Sequence, residues 1–136
     1  MGHHFKTKKM TIKIQNEVQG VLGLLMLVFG LNKFFGFIPV QPPADETAQQ
    51  FLGTMFGSYL FVVVAVAEIV GGVFLFTQKT RKWGMFLLAP VIFNIAVFHF
   101  AHDFIGNGIW ILPTVLYMVA TYYEWPLLNA NLKNLK

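Results

Sequence analysis

Four long apolar runs constrain this chain more than any motif does. They lie near Val18–Ile38, Gly57–Thr77, Trp83–Phe104 and Ile109–Leu128. Each is close to the ~20 residues that a helix needs to cross a bilayer. The expected fold class is therefore all-α: an integral membrane four-helix bundle, a single domain over residues 1–136 with a basic N-terminal arm at 1–17. The first run is not expected to be a cleaved signal peptide. It is too long, lacks a small-residue cleavage site and contains Lys33.

Composition agrees with a lipid setting. The 136 residues are 56% hydrophobic and 12% charged, with 15 phenylalanines. A soluble domain is about 45–50% apolar and about 25% charged. A chain this poor in polar groups would not cover its own surface with them in water. The absence of cysteine excludes disulfides, thiolate metal sites and dithiol redox chemistry.

The charges set an orientation. Lys6, Lys8, Lys9 and Lys13 precede the first run, Lys79, Arg81 and Lys82 separate the second from the third, and Lys133 and Lys136 follow the fourth. The other two connections carry Asp45, Glu46 and Asp103 and no lysine or arginine. The positive-inside rule then places both termini and the middle loop in the cytoplasm. The net charge of +4 reflects topology and attraction to anionic lipid. No nucleic-acid partner is expected, because no compact basic domain exists to hold one. Trp83, Tyr122, Tyr123 and Trp125 fall near the inner boundary and Trp110 near the outer one, as in an aromatic belt. In the outer loop, Asp45-Glu46 can start a short surface helix carrying Phe51, Leu52 and Phe56. The N-terminal stretch with His3 and His4 is expected to be a mobile or interfacial basic arm, and no chemistry is assigned to those histidines.

Polar side chains inside the runs are the candidate site. A charge at membrane depth costs about 2.5–3.5 kcal/mol on insertion scales, so it should face the bundle interior and meet a partner. Lys33 shares a helical stripe with Gly23, Met26, Gly30 and Phe37, and Glu68 shares one with Gly57, Phe61, Val64, Gly71 and Leu75. "NIAVFHFAHD" supplies Asn94, His99, His102 and Asp103, and the fourth run supplies Tyr117. An outer layer of Lys33, His99, His102 and Asp103 is expected above a middle layer of Glu68, Asn94 and Tyr117. Lys33 can reach down to Glu68 or snorkel outward. Asn94 lies about 140° from His99 around their helix, so full convergence needs a distortion, for which Pro90 is the candidate. His99 and His102 have the spacing of metal ligands, but no full ligand set accompanies them, so no metal is expected. Haem is disfavoured because only one run carries histidines.

The segments "GLNKFFGF", "AEIVGGVFLF", "NIAVFHFAHD" and "ILPTVLYM" together resemble the DoxX family of small four-helix membrane proteins. The resemblance implies a multi-pass protein of the bacterial inner membrane. The family is named for a subunit associated with thiosulfate:quinone oxidoreductase, and another member resembles an anchor that gathers oxidative-stress enzymes. Lys33, Glu68 and the histidine segment match its polar signature. Two functions are open on this reading, the first favoured because the polar groups are more numerous than packing alone requires. One is a quinone-linked redox subunit, with Lys33, His99 and His102 on the quinone head group and Glu68 as proton relay. Quinone is the candidate cofactor, and electrons would come from a partner. The other is a non-catalytic scaffold or assembly factor that binds membrane lipids and a membrane partner or a second copy of itself. A small-solute carrier is a distant third. The residues do not decide whether the protein is an enzyme.

Overall fold

The computed structural model describes residues 2–104 and 108–133, without the side chains of His4, Phe5 and 127–133. Among the described residues it is all-α, with five helices: α1 (Gly2–Phe35), α2 (Glu46–Phe56), α3 (Tyr59–Phe74), α4 (Arg81–His102) and α5 (Ile111–Lys133). The four longer helices close a ring, α1 on α3, α3 on α4, α4 on α5 and α5 on α1, while α2 lies against α3 and α4. The ring neighbours α1 and α3 run antiparallel, since Gly23 faces Gly72 and Leu75 while Gly30 faces Ala65 and Ile69.

Close approach depends on glycine. A Cβ at Gly72 would lie 2.7 Å from the Gly23 carbonyl oxygen, and one at Gly30 would lie 2.8 Å from that of Ala65. A Cβ at Gly84 would lie 2.8 Å from the Gly71 carbonyl oxygen, so α3 meets α4 in the same way. Small residues let backbones pack where lipid gives no hydrophobic drive between helices. Leu22, Met26, Leu75, Leu88 and Ala120 fill the remaining interior. The outside is apolar as well: Phe86, Phe93 and Phe100 on α4 are 65%, 67% and 71% exposed. A water-facing monomer rarely shows such a continuous apolar surface, whereas acyl chains cover it.

Two helices, Lys6–Phe35 and Arg81–His102, are individually long and apolar enough to cross a membrane. The pair α2 and α3, bent by 83°, forms a third candidate if taken as one broken span. The helix α3 alone has 16 residues, a rise of about 24 Å. The helix α1 has 34 residues and a length of about 51 Å at 1.5 Å per residue. Its basic first half continues the span as one helix, where the sequence suggested a separate arm. Pro90 lies within an unbroken α4.

Helix ends follow their local sequence. Gly36 leaves α1 at φ +60°, a conformation open to glycine, and its N–H bonds the Asn32 carbonyl at 2.8 Å. The Asn32 amide then donates to the Ile38 carbonyl at 3.0 Å and accepts from the Ile38 N–H at 2.6 Å. The polar Asn32 beside Lys33 thus closes the chain's exit from α1. Asp45 caps α2, accepting from the backbone N–H groups of Thr47 and Ala48. Ser58 caps α3 just beyond the bend.

Candidate functional site

Lys33 reaches Glu68. Its Nζ lies 2.6 Å from Glu68 Oε2, with the lysine side chain 21% exposed and the glutamate 1%. Helix direction explains the contact. Lys33 lies one turn beyond Gly30 on α1, and Glu68 lies on antiparallel α3 between Ala65 and Ile69, which both face Gly30, so their Cα atoms are offset axially by about 6 Å. Each Cβ tilts toward the N-terminus of its own helix. The two side chains therefore lean toward each other and close the gap. Of the two directions open to Lys33, the structure takes the inward one.

The other candidates do not join this pair. Asn94 is exposed and its amide donates to the Pro90 carbonyl at 2.9 Å within α4. His99 is half-buried, with Nδ1 2.9 Å from the Ile95 carbonyl oxygen and its ring stacked on Trp110 at 5.7 Å. His102 turns to the loop before α2, where Nδ1 lies 2.7 Å from Asp45 Oδ2. Asp103 is the C-cap of α4, with its N–H on the His99 carbonyl. The Tyr117 hydroxyl donates to the Met85 carbonyl at 2.8 Å and ties α5 to α4. In place of two layers there are separate contacts: one ion pair between α1 and α3, one histidine–aspartate link at the α2 end, and single bonds to backbone carbonyls. The 140° separation of Asn94 from His99 persists because α4 is not broken. Among the described residues no group of three metal-ligating side chains occurs.

A second polar cluster lies at the opposite end, near the basic residues. Gln15, Gln19, Arg81 and Glu124 are all buried. The Gln15 amide donates to Glu124 Oε2, bridging α1 to α5. Arg81 Nη2 donates to Asn16 Oδ1 at 3.0 Å, bridging α4 to α1. Arg81 Nε and both amide atoms of Gln19 have no hydrogen-bond partner among the described residues. Sequence reasoning missed this cluster, although a signal was present. Gln15, Gln19, Leu22, Met26 and Gly30 form one buried stripe at helical spacing. Ending the first span at Val18 cut that stripe in two.

Asp45 has a titration shifted by its surroundings. The hydrogen bond with the His102 ring holds its carboxyl below the usual value of 3.8, assisted by the Thr47 and Ala48 amides and opposed by partial desolvation.

A family model described as DoxX matches residues 20–102, more than half of the chain. No curated protein and no solved structure matches it.

Proposed function

The chain belongs to the DoxX family of membrane proteins, and from that premise we propose that it is a non-catalytic membrane subunit, a scaffold that holds a redox partner at the bacterial inner membrane. The observation that carries this reading is the Lys33–Glu68 pair. The most buried charge of the candidate set already has its counter-ion at 2.6 Å, so both groups serve packing between α1 and α3. Asn94, His99, His102 and Tyr117 likewise bond within the chain. With no cysteine in the sequence, any dithiol redox chemistry belongs to the partner in this proposal. Both termini and the α3–α4 connection face the cytoplasm in this proposal, supported by the lysines and Arg81 at that end and by Asp45, Glu46 and Asp103 at the other.

One observation favours the quinone-linked reading. The His99 ring stacks on Trp110, which gives an aromatic face and a ring nitrogen near the α2 end, features suited to a quinone head group. Mass spectrometry of organic extracts from detergent-purified protein separates the two. The scaffold reading expects phospholipid and no stoichiometric quinone. One quinone per chain, lost in His99→Ala, would replace it with the quinone-linked function.

A further inference from the structure

The second polar cluster opens onto a groove of about 1650 Å3 between the first half of α1, the α3–α4 connection and α5. Four cationic side chains line it, Lys8, Lys79, Arg81 and Lys82, against the single carboxylate of Glu124. Arg81 is 5% exposed, and its Nε has no partner among the described residues. An unsatisfied donor on a buried guanidinium is costly and calls for an acceptor. The groove also has aromatic walls, Tyr122 and Trp125, which are 75% and 59% exposed.

We propose that this groove is a binding site for an anionic phospholipid, its phosphate held by Arg81, Lys79 and Lys82 and its upper acyl chains against α5. Three features fit that ligand together. Guanidinium and ammonium groups recognise phosphate oxygens by charge-assisted hydrogen bonds. Tyrosine and tryptophan rings lie at headgroup level. The apolar outer surface of α5, with Val115 and Met118 exposed, runs away from the groove in the direction acyl chains would take. The bound phosphate would also compensate an excess of positive charge that Glu124 alone does not balance. Phosphate chemistry can come from a lipid or from a free anion, and the large, mostly apolar groove favours the lipid. The proposal needs only a membrane setting and holds whether the protein is a scaffold or a redox subunit.

The test is native mass spectrometry of the full chain released from nanodiscs of phosphatidylcholine containing one-tenth phosphatidylglycerol. The wild-type protein should retain one phosphatidylglycerol in preference to phosphatidylcholine. The double variant Lys79→Gln/Lys82→Gln should lose that preference by about twenty-five-fold, taking each interfacial lysine at about fivefold. Arg81→Gln should abolish it. Because Arg81 also bonds Asn16, its variant is judged only if thermal unfolding shows it folded; the lysine pair, on the surface, tests the site by itself. Equal retention of the two lipids by the wild type would overturn the proposal, as would unchanged preference in the lysine double variant. Displacement of the lipid by millimolar inorganic phosphate would also overturn it in favour of a free-anion site.

Discussion

The pair Lys33–Glu68 shows how one buried charge fixes the role of another. Glu68 is almost fully enclosed, so Lys33→Met would leave a carboxylate without its counter-ion in a low-dielectric interior. Breaking a buried pair in this way costs about 3–5 kcal/mol, whereas replacing both members with apolar groups of similar volume is often close to neutral. Since Lys33 keeps 21% exposure, the lower end, about 3 kcal/mol, is the expected loss. Thermal unfolding in detergent should therefore show Lys33→Met well below wild type, and Lys33→Met/Glu68→Met recovering most of the difference. A double variant as unstable as the single would mean that the charges themselves, and not their mutual satisfaction, hold α1 to α3. The pairing was open to a reading of the residues, because Lys33 and Glu68 each share a stripe with glycine. What the sequence did not supply was the direction of Lys33, which depends on the antiparallel register and the tilt of Cβ. Asn32 beside it carried no such signal; its role follows from the turn geometry around Gly36.

Elements meet here through backbone rather than through large side chains. Gly72→Ala would set a methyl 2.7 Å from the Gly23 carbonyl oxygen and 2.9 Å from the Leu27 nitrogen, and neither atom can yield without moving a helix. Overpacking of this kind costs about 1–3 kcal/mol. Gly20 lies on the same α1 with nothing within 4 Å of its notional Cβ. Gly20→Ala should be neutral or stabilising by up to about 1 kcal/mol, from helix propensity alone. Opposite signs in a melting comparison are expected, and a loss at both positions would refute the assignment of close contact to Gly72. The attachment of α2 depends on a different force. The carboxyl of Asp45 is held below its usual value by His102. A depressed carboxyl contributes stability that is present above the unfolded value, near 3.8, and lost as pH falls through the lower folded value. The protection of α2 amides, measured relative to their intrinsic exchange rate at each pH, should therefore fall on acidification below about pH 4, and Asp45→Asn should remove that step by lowering protection at every pH.

At the scale of the molecule, helical class and the apolar exterior were legible because hydrophobic length and charge placement are local properties of the chain. The extent of α1 was not. The hydrocarbon run ends near Val18, but the backbone continues as helix to Gly2, since nothing between Met10 and Val18 breaks it: no proline or glycine intervenes. The polar site was legible as a set of residues and illegible as an arrangement. Register between helices decides which polar groups meet, and no single helix encodes it. The orientation in the bilayer can be settled by chemistry, because a chain free of cysteine accepts single cysteines as clean reporters. In cells, Gln50→Cys on α2 should react with a membrane-impermeant maleimide added outside. Lys79→Cys in the α3–α4 connection and Lys9→Cys on the first half of α1 should react only after permeabilisation. The charge asymmetry requires that Lys79→Cys and Lys9→Cys behave alike, since both lie among lysines that resist translocation. Labelling of Lys79→Cys from outside while Gln50→Cys is protected would invert the topology, and would turn the basic groove toward the outer leaflet. Labelling of Lys79→Cys and Gln50→Cys from the same side would mean that α3 does not cross, and that the bent α2–α3 pair enters and leaves the membrane on one face.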